Sequence, residues 1–144
     1  MSLLFENWKN LLDDVYLMTN FKDFHGHSVS TLKIGHDKSW SENLLTALAN
    51  LKDYDYVFLM MEDMFLTNQL DDTEIKRIFN EFCNLDGDFL TLMSEPKGSE
   101  PSFNKSIRRI PETSLYRPTT TASLWKISTL INFLVPGESA WEFE

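Results

Sequence analysis

The sequence predicts an α/β fold, a mostly parallel sheet flanked by helices, and three observations carry that prediction. Short apolar segments alternate with segments of helical period, giving the order α-β-β-α-β-α-β-loop-β-α. The run Tyr56-Val57-Phe58-Leu59-Met60-Met61 is uncharged and does not alternate, the pattern of a strand covered on both faces. A chain of 144 residues, 42% hydrophobic, has enough apolar material for a core without disulfides or structural metal.

The elements follow in order. Leu4, Phe5, Trp8, Leu11 and Leu12 recur at helical spacing and predict an amphipathic helix over 3–12. Val15-Tyr16-Leu17-Met18 then reads as a buried strand that Thr19-Asn20 ends, and 29–34 as a second strand that stops at Gly35. Ser39-Trp40-Ser41-Glu42 matches a capping box, in which hydroxyl and carboxylate satisfy each other's backbone N–H groups. It predicts a helix to about Leu51, with Trp40, Leu44, Leu48 and Leu51 inward. The segment 54–66 contains the apolar run and is expected as a central strand. Asp71 or Asp72 caps a further helix with Ile75, Ile78, Phe79, Phe82 and Cys83 inward, and 88–93 reads as another strand. The polar stretch 95–114, with Pro96, Gly98, Pro101 and Pro111, is expected as a long loop inside a single domain spanning 1–144. A Thr-rich strand over 115–122 and a helix through Leu124, Ile127, Leu130, Ile131 and Leu134, ended by Pro136-Gly137, complete the reading.

Charge narrows the function classes. Thirteen Lys and Arg stand against 22 Asp and Glu, a formal net charge of −9, so the surface as a whole repels phosphate backbones and nonspecific nucleic-acid binding is not expected. The single cysteine, Cys83, permits no internal disulfide and reads as a small buried hydrophobe. With no long apolar run and no signal peptide, the chain is expected to be cytoplasmic, with peripheral membrane contact at the inner face. It opens on Met1-Ser2-Leu3 and stops on Trp141-Glu142-Phe143-Glu144, which reads as a piece of something longer.

In an open parallel sheet, ligands bind beyond the carboxyl ends of the strands, and the polar clusters fall there. Thr19-Asn20 follows the first strand, Gly35-His36-Asp37-Lys38 the second and Glu62-Asp63 the third. Two adjacent carboxylates after a buried strand suit a divalent cation, although acids there also simply end a strand. His25, His27 and His36 with Asp37 have the donor types of a zinc site, but scattered histidines in an acidic protein read better as surface residues. Lys105, Arg108, Arg109 and Arg117 gather around the long loop and can either clamp a diphosphate or form a solvated face. Trp141-Glu142-Phe143-Glu144 sets carboxylates among aromatics, a setting for sugar stacking and a general base, or an ordinary amphipathic helix end.

The run VSTLKIGHDKSWSENLLTALANLKDYDYVFLMMEDMFL, from Val29 to Leu66, resembles the nucleotide-sugar-binding half of GT-A-fold glycosyltransferases, especially bacterial enzymes of polysaccharide and lipopolysaccharide assembly. Asn43 to Leu48 stands for the family's helix, and Asp55 to Asp63 for its buried strand with the acidic motif. The resemblance implies a Rossmann-like GT-A fold lacking its first strand. It also implies a nucleotide-sugar donor, a glycan or lipid-linked acceptor, and a divalent cation, Mn²⁺ or Mg²⁺. With the family's Asp-x-Asp laid on Met61-Glu62-Asp63, the first aspartate is lost and the metal falls to Asp63 helped by Glu62. The donor would meet Asn20, Asp37, Lys38, Glu62 and Asp63. Trp141 and the arginines 108, 109 and 117 would serve the acceptor or diphosphate, and Glu144 or Glu142 would deprotonate the acceptor hydroxyl. A non-catalytic relative that scaffolds a partner, forming an oligomer through exposed apolar surface, is the alternative. A metal-dependent phosphoesterase using the histidines with Glu62 and Asp63 is a third reading.

Overall fold

The structure, a computed structural model, describes residues 2–9, 14–26, 29–93, 98 and 106–144. Its elements in chain order are α1 (Ser2–Asn7), β1 (Val15–Thr19), β2 (Val29–Lys33), α2 (Trp40–Leu48), β3 (Tyr56–Leu59), α3 (Asp72–Asn84), β4 (Phe89–Thr91), β5 (Ser123–Lys126), α4 (Ile127–Phe133) and α5 (Ala140–Phe143). The fold is a small α/β one, and the chain divides into two compact units. The first comprises Met1–Leu11, Tyr56–Lys126 and Glu144, and the second Leu12–Asp55 and Ile127–Phe143. The expected continuation of α1 over 10–12 lies outside the described residues, as do 95–97 and 99–105 of the long loop.

In the second unit β1 and β2 pair in parallel, from Val15↔Val29 to Thr19↔Lys33. The ladder runs on past the strands, because Ile34 N donates to Thr19 O and Gly35 N to Asn20 O, both at 2.9 Å. Gly35 then turns the chain at φ 78°, a left-handed value that a side chain rarely adopts. The serine half of the predicted capping box forms, while the Glu42 carboxylate accepts from the Ser39 hydroxyl and not from its backbone N–H. Ser39 sits extended before α2, accepts from Glu42 N at 3.2 Å and donates to the Glu42 carboxylate at 2.9 Å. One turn further the apolar stripe takes over, burying Leu44, Ala47, Leu48 and Leu51. Ile127, Leu130 and Leu134 supply the buried side of the α4 region, and Phe143 of α5 meets the Trp40 ring at 5.3 Å.

In the first unit the strand order is β3-β5-β4, and both outer strands run antiparallel to β5. The expected mostly parallel sheet is therefore corrected: among the described residues parallel pairing is confined to β1 and β2. Apolar strand composition reports burial and carries no direction, and the long connection from β4 to β5 lets the chain re-enter the sheet either way. The expected central strand is corrected for the same reason. β3 is an edge strand, half-buried throughout, whereas Ser123, Leu124 and Trp125 of β5 are buried. Trp125, 1% exposed, packs on Phe89 with ring centroids 4.4 Å apart.

The expected strand over 115–122 is absent. Pro118 has no N–H for a ladder, and Thr119 takes the Thr121 amide on its own hydroxyl at 3.2 Å, so the backbone turns before Ser123. Pairing then claims Leu124 and Trp125, and the last long helix starts at Ile127 instead of Leu124. Asp71 caps α3 as expected, accepting from Thr73 N and Glu74 N. Phe82 is buried on its inner face, against Tyr56 at 5.7 Å, but Cys83 is exposed, which corrects its reading as a buried hydrophobe. Helix α3 ends where Asp86 turns left-handed at φ 50° and Gly87 passes so close to the Phe82 ring that no Cβ fits. Trp8 is buried after α1, donating to Asp72 at 3.1 Å and meeting Phe58 edge-on at 5.8 Å. Among the described residues no helix is long and apolar enough to cross a membrane.

Candidate functional site

Two polar strand ends gather the predicted residues, one in each unit. In the second unit the carboxyl end of the β1/β2 pair carries Asn20, Asp37 and Lys38. Asn20 Nδ2 donates to Gly35 O at 3.2 Å, which ties the turn after β1 to the turn after β2. His36 beside it packs edge-on against Phe21 at 5.1 Å. Asp37 and Lys38 are both fastened to Asn43 of α2. Asn43 Nδ2 donates to Asp37 Oδ1 at 2.7 Å, and its Oδ1 accepts from Lys38 N at 3.1 Å. The Lys38 ammonium stands 3.9 Å from the Glu42 carboxylate, a loose and exposed pair.

The same helix start also anchors the segment before α5. Ser39 Oγ accepts from Gly137 N at 3.1 Å, and the fully buried Ser41 accepts from Glu138 N at 3.2 Å. Glu142, a predicted base, is engaged there as a second capping box. Its carboxylate accepts from the Ser139 amide and hydroxyl, both at 2.8 Å, while Glu142 N donates to Ser139 Oγ at 3.3 Å. The Ser139 amide first, and then its hydroxyl, hold the Glu142 carboxyl below the usual range, so it is a weaker base than a free carboxylate. Trp141 beside it is 81% exposed.

In the first unit, register assembles a different set. Leu59 of β3 and Thr91 of β4 both lie opposite Ser123 of β5, so the residues after β3 and those before β5 share one end of the sheet. Glu62 and Asp63 occupy the turn that follows β3, closed by Met64 N donating to Met61 O at 3.2 Å, and both are exposed. At the same end Glu144 Oε1 accepts three hydrogen bonds: from Thr119 Oγ1 at 3.0 Å, Thr120 N at 2.7 Å and Thr120 Oγ1 at 2.8 Å. Behind them Ser123 Oγ reaches Thr119 O at 3.4 Å and accepts from Trp125 Nε1 at 3.1 Å.

The basic residues are spread out. Arg117 is exposed two positions before Thr119, Arg108 packs its Cβ against Gly98, and Arg109 faces Glu112 at 3.5 Å. Lys105 and His27 lie outside the described residues. Among the described residues no group of three or more His, Cys, Asp or Glu could hold a metal ion, so neither the zinc set nor the phosphoesterase set is assembled there. The donor set is likewise divided, with Asn20, Asp37 and Lys38 in one unit and Glu62 and Asp63 in the other.

The chain matches no protein-family model, and neither the curated proteins nor the solved structures give a match. The site therefore rests on its own geometry. Sequence reasoning passed over two parts of it. Asn43 shares a helical stripe with Ala47, and a polar residue on that stripe was the available signal. The threonines 119–121 read as strand formers, and Pro118 directly before them was the sign that their hydroxyls would bond locally.

Proposed function

We propose that the chain is a GT-A-like glycosyltransferase domain that moves a sugar from a nucleotide-sugar donor to a glycan or lipid-linked acceptor. The observation that carries the reading is the first unit's sheet end, where register brings the exposed Glu62-Asp63 turn to the end of β3 and Glu144 to the approach of β5. Adjacent carboxylates are hard oxygen donors and fit a divalent cation, Mn²⁺ or Mg²⁺, with Asp63 as the principal ligand and Glu62 its helper. Such a cation, if held there, would supply positive charge against a departing diphosphate. Around it the chain's own residues divide the work. Arg117, exposed before the threonine bend, offers a guanidinium to phosphate oxygens, and Glu144 receives the proton of the acceptor hydroxyl. Glu142 is the weaker candidate for that proton because Ser139 holds it as a cap.

Isothermal titration of the full chain with common nucleotide sugars and Mn²⁺ tests the reading. Metal-dependent binding that Asp63→Ala abolishes is the expected result, and no binding, or Asp63→Ala indistinguishable from wild type, overturns it. A non-catalytic α/β domain is the second reading. It is favoured by the engagement of Glu142 and Glu144 in hydrogen bonds and by the lack of a third metal ligand among the described residues.

A further inference from the structure

The threonine bend has a chemistry that its role as a turn does not exhaust. One backbone amide and two hydroxyls converge on a single oxygen at 2.7–3.0 Å, the arrangement by which proteins hold an oxyanion. Thr119 and Thr120 are 5% and 7% exposed, so these donors are withdrawn from bulk water, and while the Thr119 hydroxyl also lies 2.9 Å from Thr121 Oγ1, the Thr120 amide and hydroxyl depend on the oxygen they share. The bend is also fixed from behind, since Thr119 is braced by Ser123, and Ser123 by Trp125 of the core. Its occupant is held more simply. Among the described residues, these three bonds to one oxygen are the only hydrogen bonds of the Glu144 side chain.

We propose that the Thr119–Thr120 bend is an oxyanion-binding site occupied by the chain's own Glu144 carboxylate, and that a phosphate group of a ligand competes with Glu144 for it. A phosphate oxygen offers the same three donors a full acceptor, with Arg117 two residues upstream to offset the chain's negative charge. The inference deepens the glycosyltransferase reading and rests on it for the ligand's identity. A donor diphosphate that enters the bend releases Glu144, and the carboxylate regains the oxygen that three donors had engaged. Binding of the donor then frees the base, and without donor Glu144 stays latched.

The test uses the full chain, isotope-labelled, titrated with inorganic pyrophosphate in the absence of metal while the Thr119, Thr120 and Thr121 amide signals are followed. The Thr120 amide moves saturably, and Glu144→Gln binds about tenfold more tightly, because a neutral amide competes less well than a carboxylate for the same donors. A Thr120 amide that stays still in Glu144→Gln, or an affinity equal to wild type, overturns the proposal. Should circular dichroism show that Glu144→Gln does not fold, Glu144→Asp, one methylene short of the bend, reads the same competition. Pyrophosphate binding that survives Asp63→Ala keeps the bend as its seat, and binding lost with Asp63 overturns it. A nucleoside diphosphate that moves Thr120 in the same way identifies the phosphate's source. Movement with pyrophosphate alone leaves the oxyanion site standing and removes the nucleotide reading.

Discussion

Glu142 in the second unit and Asp63 in the first are both exposed acids at polar ends of their units, and they are put to opposite use. Glu142 has Ser139 three residues before it at a helix start, so backbone and hydroxyl donors take its carboxylate. Asp63 follows a strand in a tight turn closed by Met64 N on Met61 O, and its exposed carboxylate makes no hydrogen bond among the described residues. The difference extends to the surroundings. In the second unit Asn43, Ser39, Ser41 and Glu42 knit Asp37, Lys38 and the 137–138 turn to the start of α2. An acid within a capping pattern is consumed by the fold, whereas an acid after a strand remains available for a ligand.

Four substitutions break or sharpen that contrast, and the largest effect belongs to the knitted end. Asn43→Ala removes the side chain that holds both Asp37 and Lys38, and it should destabilise the protein by about 1–3 kcal/mol in urea unfolding. A loss within experimental error would mean that the knitting is incidental. Ser39→Ala deletes the α2 cap and the acceptor of Gly137 N, at about 1 kcal/mol, read as a lowered Tm.

Glu142→Gln should act through pH. The Glu142 carboxyl is held below its ordinary value by Ser139, so its contribution is fully present above the ordinary carboxylate range and is lost as pH falls through the lowered folded value. In the Gln variant that part of the acid limb of the stability curve should flatten, while an unchanged limb would detach Glu142 from the cap. Asp63→Ala should have the smallest effect on stability, within about 0.5 kcal/mol, because its side chain is exposed and makes no hydrogen bond or ion pair among the described residues. It should nevertheless abolish Mn²⁺ binding in a titration that the wild type passes. A marked loss of stability there would erase the contrast.

Much of this was legible locally. The Ser39 cap, the stop at Gly35, the Asp71 cap and the existence of β1 and β2 all follow from signals a few residues long, whereas the parallel pairing of β1 with β2 does not. Misreadings arose where distant partners decide. Leu124 fits a helix by spacing, and only pairing with β3 and β4 makes it and Trp125 strand. Cys83 fits an inward stripe, yet α3 turns it outward. The Glu62-Asp63 pair was visible as a site candidate, whereas the seat of Glu144 was not, because it joins residues 24 and 25 positions apart.

The sequence by itself determined the helix starts at Ser39 and Asp71, the stop at Gly35 and the acids that follow β3, because caps, glycines and apolar periods act over one or two turns of chain. Only the tertiary structure decided the direction of β5, the edge position of β3 and the closing of Glu144 on Thr119 and Thr120. Those depend on backbone and side-chain partners that are remote in sequence, and burial pattern alone names neither the partner nor its direction.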